Sequence, residues 1–257
     1  MAIVTAETAT RPRAFVRVQG PDAVSYLDRM LTNDVPEEGS VDALLLTPKA
    51  RVIAPVNVWR RGADDVLLLT EPELGEVLQR ELVRARFAAR CEIALEQHES
   101  AVVFGGVDGI PNRDYGTPAV EVLDAGLEPT LAADELERRR IEAGTPRFGA
   151  EIDDRVLPAE AGLDERAISF DKGCFPGQEP VARQHYRGKV NRRLRVLSLE
   201  GAPEPETPVL HAGKDVGRVT SSVAGLALAY VRVEVPDDAD LSVGGVPARL
   251  HSPPGRP

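Results

Sequence analysis

After Arg193 the chain breaks into short alternating runs at 194–199, 216–221, 226–233 and 246–250, separated by turn-formers at 202–208 and by Gly244-Gly245. Successive side chains of a strand point to opposite faces, so each run can bury only one face, and it must do so against other strands. Several short strands punctuated in this way predict a small antiparallel β-barrel. A boundary near residue 190 follows, with one region (or two subdomains) over 1–189 and the barrel over 190–257.

The first region has a different texture. Residues 14–19 alternate as a strand, and Gly20-Pro21 opens a segment with Val24, Leu27 and Leu31 at helical spacing that stops near Thr32-Asn33-Asp34. Strands are expected at 44–47, 52–59 and 66–69. Thr70, Pro72 and Glu73 read as an N-cap, a first-turn proline and a capping acid for a helix whose apolar face is Leu74, Val77, Leu78 and Leu82. Further strands are expected at 91–96, 101–104 and 120–123, around a loop at 105–118 rich in Gly, Pro, Asn and Asp. A charged helix at 134–143 ends at Gly144, a natural left-handed cap, and 145–168 is mostly irregular. The fold class is therefore α+β, a mixed body followed by a barrel.

Bulk charge narrows the partners. A formal charge of −10 opposes tight non-specific binding to nucleic acid, which needs a basic surface. The polar start, 1–13, has no leader pattern, and no apolar run approaches the roughly 18 residues of a membrane span. Two cysteines, Cys91 and Cys174, lie far apart without metal-ligand spacing, so no disulfide framework and no stably bound metal are expected, and a reducing cytoplasm is the simplest home.

The densest signal is Lys172-Gly173-Cys174-Phe175-Pro176-Gly177-Gln178-Glu179, a turn that brackets one cysteine just before a short helix. Such a thiol is either displayed as a nucleophile or ligand, with Lys172 and the helix N-terminus favouring the thiolate, or held in the loop as a small buried hydrophobe. Cys91, in an alternating strand with Ile93 and Leu95, reads as a core thiol. Gln178 and Glu179 offer an amide and a carboxylate that either pair with the edge of a heterocycle or merely cap the helix in solvent. Arg183, Arg187, Lys189, Arg192, Arg193 and Arg195 form a basic island that would suit an anion or be a solvated helix end. Arg140 and Glu142 are a functional pair or an ordinary surface one. His98, His185, His211 and His251 are too scattered for a ligand set, and no nucleophile elbow or phosphate-cradling glycine motif is present.

The run Lys172-Gly173-Cys174-Phe175-x-Gly177-Gln178-Glu179-x-Val181-Ala182-Arg183 closely resembles the signature of the YgfZ family, folate-binding relatives of the glycine cleavage T protein. The resemblance extends through Arg140-Ile141-Glu142-Ala143-Gly144-x-Pro146, Leu157-Pro158-x-Glu160, Arg187-Gly188, and Arg192-Arg193-Leu194. It includes Val18-x-Gly20-x-Asp22-Ala23 with Leu31-Thr32-Asn33-Asp34-Val35 near the start, and Gly217-x-Val219-Thr220-Ser221 in the barrel. It implies a T-protein-like body around a central channel holding tetrahydrofolate or a derivative, with the Cys174 loop at its mouth.

The same resemblance implies an accessory protein for assembly or repair of iron–sulfur enzymes, including a tRNA-thiolating one, that works through Cys174 with Lys172 beside it. Gln178, Glu179, Arg183, Arg140 and Glu142 are the expected folate contacts. A tetrahydrofolate-dependent one-carbon transferase or demethylase is the alternative, and a module that contacts tRNA directly through the basic island is a third. Where aminomethyltransferases carry an acidic pair, this chain reads Val52-Ile53-Ala54-Pro55, and neither Ala54 nor Pro55 can polarise an amine, which disfavours the orthodox reaction. Pro176 stands where the signature commonly has Thr, and loop 105–118 offers no clear counterpart to the carboxylate that holds the pterin in the T protein.

Overall fold

A computed structural model of the chain describes residues 6–188 and 190–251, except the side chain of Arg187. The body begins with β1 (Glu7–Thr10), β2 (Ala14–Gln19), α1 (Ala23–Met30), β3 (Ser40–Leu46), β4 (Val52–Gly62) and β5 (Asp65–Thr70). It continues with α2 (Gly75–Ala85), β6 (Glu92–Glu96), β7 (Ser100–Phe104), β8 (Ile110–Asn112), β9 (Ala119–Leu123) and α3 (Ala133–Glu142). The short α4 (Asp164–Ala167) and α5 (Gln178–Arg187) lead to β10 (Arg192–Leu199), β11 (Pro208–His211), β12 (Lys214–Val223), β13 (Leu226–Arg232), β14 (Leu241–Val243) and β15 (Val246–His251).

Two sheets make the body. One has the order β3-β4-β5-β2-β6 and the other β1-β7-β9-β8, with antiparallel neighbours throughout. Alternation sorts the side chains of the larger sheet: Ala43 and Leu45 of β3, and Ala54, Val56 and Val58 of β4, join Val66 and Leu68 in a core closed by Tyr26 and Leu27 of α1 and Leu78 and Leu82 of α2. Burying each such large apolar side chain is worth about 1.5–3 kcal/mol before entropy is counted. The opposite face sets Phe15, Leu67 and Leu69 against Ile110 of the second sheet. Further along that face, Asp42 and Leu44 of β3 and Pro55 and Asn57 of β4 turn toward the centre of the molecule.

The expected barrel is present: β10-β13-β12-β11-β14-β15 closes on itself through the pairing of β10 with β15. Its outer wall is continuous with the body. Leu194, Val196, Leu228 and Tyr230 pack in one cluster with Leu44, Val52, Ile141, Ile152 and Phe175.

Local differences from the sequence reading have simple causes. The strands β1, β8, β11 and β14 are only three or four residues long, too short to show a period. Thr70 does not cap a helix: it ends β5, and its hydroxyl donates to the carbonyl oxygen of Pro55 at 2.7 Å. A single 3-10 turn over Pro72–Leu74 intervenes before α2.

Candidate functional site: a polar cavity and a displayed cysteine

Between one face of β3–β5, the loop that follows β8, the segment 145–163 and α4 lies a narrow, partly open cavity of about 60 Å³. Its charged lining is Arg13, Asp42, Glu71, Asp114 and Arg166, and Asn57, Thr145 and Pro55 complete the part used below. Each charge is delivered by a different element. Arg166 of α4 donates to Asp42 of β3 at 2.8 and 3.1 Å and to Asp114 at 2.8 Å. Arg13, between β1 and β2, donates to Glu121 of β9 at 2.5 and 3.1 Å, and Arg11 binds Glu71 through both oxygens at 2.8 and 3.0 Å.

The charges set one another. Burial pushes the Asp114 carboxyl up, but the guanidinium groups of Arg166 and Arg13 outweigh it and hold Asp114 well below the usual carboxylate range. Glu121 is buried among Arg13, Ser100 and Asn112 and is likewise held low, burial being outweighed by Arg13. Asp114 belongs to the loop at 105–118, so a carboxylate of that loop reaches the cavity, where it is paired with guanidinium groups. Its arrival depends on a local turn, in which its N–H donates to Asn112 Oδ1 at 2.9 Å.

One polar atom buried beside the lining is left over. Asn57 donates from Nδ2 to Asp42 Oδ1 at 3.1 Å, whereas its Oδ1 is buried without a partner among the described residues. A buried acceptor with no donor costs free energy until a donor meets it.

The Cys174 loop is built separately, on the turn of the β3–β4 hairpin. Gly177 has φ +83°, and a Cβ there would lie 2.6 Å from the carbonyl oxygen of Thr47, so only glycine fits. Phe175 is buried in the cluster shared with the barrel, and Lys172 turns inward to donate to the carbonyl oxygens of Leu31 and Asn33 at 3.0 and 2.6 Å. Burial holds the Lys172 ammonium below its ordinary pKa, with Asp34 and Asp28 opposing. Between these two anchors Cys174 is exposed, whereas Cys91 is buried and burial raises its thiol pKa. Lys172 therefore spends its donors on backbone oxygens rather than on the sulfur.

The residues expected to hold folate are not brought together. Gln178, Glu179 and Arg183 lie on α5, where Arg183 donates to Glu179 at 2.7 Å on an exposed surface. Glu142 is exposed. Arg140 is buried, donating to Glu137 at 2.7 and 2.9 Å, to Glu151 at 3.0 Å and to the carbonyl oxygen of Thr145. It braces the cavity wall from behind at Thr145. None of Lys172 to Gln178 lines the cavity, so the loop adjoins the hairpin that supplies Asp42 and Asn57 and does not form its mouth. The basic island is partly neutralised from afar, Arg192 by Glu160 at 3.1 Å and Arg195 by Asp237 at 2.7 Å; Lys189 and the Arg187 side chain lie outside the described residues. Among the described residues no group of three or more His, Cys, Asp or Glu is arranged to hold a metal, and no helix is long and apolar enough to cross a membrane.

Two sheets around a polar cavity, backed by a closed barrel, define an aminomethyltransferase-type fold. The crystal structure of the glycine cleavage system aminomethyltransferase T from Bartonella henselae superposes with a TM-score of 0.80 over 97% of this chain and 86% of that one, at 18% identity. The family model described as CAF17, C-terminal beta-barrel domain, matches residues 191–257. An aminomethyltransferase of Moorella thermoacetica is 30% identical over 80% of this chain and 71% of its own length. The mitochondrial iron-sulfur cluster assembly factor IBA57 homolog of Pyricularia oryzae is 27% identical over 94% of this chain and 75% of its own, and its mouse counterpart 25% over 86% and 76%. The chain belongs to the CAF17/YgfZ–aminomethyltransferase superfamily.

These matches correct the cytoplasmic expectation, because the named iron–sulfur assembly relatives are mitochondrial proteins. Two unpaired cysteines do not distinguish one reducing compartment from another.

Proposed function

We propose that this protein is a reduced-folate-binding accessory factor for iron–sulfur enzymes, a tRNA-thiolating one among its clients, and that Cys174 is the group that meets them. The observation that carries this reading is the separation of two features: a cavity lined by charged and polar side chains, and an exposed thiol braced on the adjoining hairpin. The cavity suits tetrahydrofolate in kind, since a pterin presents N–H donors and ring acceptors along one edge. Asp42, Asn57, Asp114 and Arg166 line the space that would meet such an edge. A bound reduced folate supplies nitrogens able to carry a one-carbon unit; the protein's residues bind it, orient it and shield it from water. The iron–sulfur relatives support the client class, and the signature around Cys174 supports the role of the thiol.

One-carbon transfer from an amine donor is the second reading, favoured by the Moorella relative. The site argues against it. Pro55 lines the cavity where an acid would act on an amine, and the carboxylates that do line it are committed to guanidinium groups. A carboxylate held as low as Asp114 is a poor proton acceptor at neutral pH.

Replacing Cys174 by Ala separates the readings. Cells carrying Cys174→Ala as their only copy are expected to lose activity of iron–sulfur enzymes while the purified variant keeps the wild-type melting temperature. Unchanged enzyme activities in that strain would rule out the accessory role. Turnover of glycine, sarcosine or dimethylglycine with tetrahydrofolate by wild-type protein would favour the transferase.

A further inference from the structure

We propose that the C-terminal end of α2 is a contact for an anionic lipid surface, with Phe87 as the side chain that enters the interface and the arginines near it as the groups that meet the headgroup phosphates. This surface involves neither the cavity lining nor the Cys174 loop.

Phe87 is held where an aromatic side chain gains almost nothing from the fold. It follows Arg86, the residue that closes α2, and has φ +48°, the left-handed region that glycine usually occupies just past a helix end. A bulky residue there carries backbone strain. Its ring recovers none of that by packing, being 92% exposed. Val83, four residues back, is 45% exposed as well. Strain kept without burial calls for a role outside the folded chain.

The local charge says what that role is. From Gln79 to Cys91 the sequence carries four arginines, Arg80, Arg84, Arg86 and Arg90, and one carboxylate, Glu81, in a protein whose net charge is −10. All four arginines are exposed. Glu81 takes Arg84 at 2.6 Å, Asp22 takes Arg90 at 3.1 Å, and Arg86 donates to the carbonyl oxygen of Cys91 at 3.1 Å. Arg29 of α1 is exposed on the same side, where its charge bears on both Asp22 and the Cys91 thiol. Five guanidinium groups thus gather here, with Asp22 and Glu81 paired among them.

A guanidinium suits a phosphate headgroup, and an aromatic ring suits the boundary between headgroups and acyl chains. Each signal alone holds a membrane weakly, and the two together hold it better. Charges farther away than about 8 Å are screened at physiological ionic strength, so this patch, and not the net charge, sets the contact. A protein partner fits less well, because Phe87 and Val83 are the exposed large apolar side chains of this stretch, too few for the apolar centre of a protein interface.

Co-sedimentation of the full chain with extruded vesicles tests the assignment, one set of phosphatidylcholine alone and one of an equal mixture of phosphatidylcholine and phosphatidylglycerol. Wild-type protein is expected to sediment with the mixed vesicles only, and to be released as salt is raised. Arg80→Gln is expected to weaken partition about fivefold, the worth of one cation near an anionic surface. Phe87→Gly is expected to weaken it about tenfold while melting no lower than wild type, since glycine adopts left-handed backbone freely. A ring that served only the fold would lower the melting temperature when removed. Phe87→Asn, which also tolerates that backbone, reads the same loss should glycine loosen the turn. Wild-type protein that ignores both vesicle sets overturns the lipid contact in favour of a protein partner. Equal binding to both sets overturns the role of the arginines, and undiminished binding by both Phe87 variants overturns the role of the ring.

Discussion

His98 shows how a side chain outside the candidate site can tune the molecule around it. Its Nδ1 lies 2.6 Å from Asp124 and its Nε2 3.0 Å from Glu96, while Phe15 meets the ring edge-on at 5.1 Å. Burial lowers the imidazole pKa, but the hydrogen bonds to Glu96 and Asp124 outweigh it and raise it above the ordinary value. A group whose pKa is higher folded than unfolded contributes stability that is complete below its unfolded pKa and is lost as pH rises through the folded one. The gap in melting temperature between wild type and His98→Gln should therefore be widest below about pH 6 and shrink on the alkaline side. A gap that grows with pH would contradict this. At this scale the sequence was half legible: the display of Cys174 follows from its turn residues, but the destination of Lys172 does not. Its acceptors, on Leu31 and Asn33, are 141 and 139 residues away, and no local pattern encodes them. Asn57 was hidden for a similar reason, since alternation in β4 shows which face it is on but not that the face borders a cavity.

At the scale of elements, the β3–β4 hairpin does two jobs. Its strands carry Asp42 and Asn57 to the cavity, and its turn receives Gly177 at the start of α5. Gly177→Ala would force a Cβ against Thr47 and place an L-residue in left-handed backbone, which alone costs about 1–2 kcal/mol. The variant is expected to melt several degrees lower and to expose the Phe175 side of the loop, read as faster proteolysis between 170 and 178. Unchanged melting and protease resistance would show that the hairpin contact does not hold the loop. Long periodic elements were legible from the sequence: α3 ends with Gly144 at φ +68°, as a left-handed cap requires. Elements decided by pairing were not. The strand β1 exists because β7 offers it an edge, with Ala9 opposite Val102. Thr70 ends a strand because β4 supplies a carbonyl where a helix N-cap was expected.

The barrel and the body are joined by a buried acid. Glu151 accepts from Arg140 at 3.0 Å, from the N–H of Arg147 at 3.0 Å and from the Ser221 hydroxyl at 2.6 Å, while its carbonyl accepts from Tyr230 at 2.8 Å. Ser221 and Tyr230 belong to β12 and β13 of the barrel; Arg140 belongs to α3 and braces Thr145 at the cavity. Around this link the apolar cluster runs without interruption from Leu44 and Val52 to Leu228 and Tyr230. Removing one partner of a buried ion pair leaves the other charge without compensation, a loss of about 3–5 kcal/mol. Glu151→Ala is expected to cost that much, and, because the two parts share one core, to lower a single unfolding transition followed equally by far-UV dichroism and by Trp59 fluorescence. Should the barrel and the body instead unfold in two separate steps in wild-type protein, the shared core would not couple them, and the support that α3 gives the cavity would have to come from the body alone.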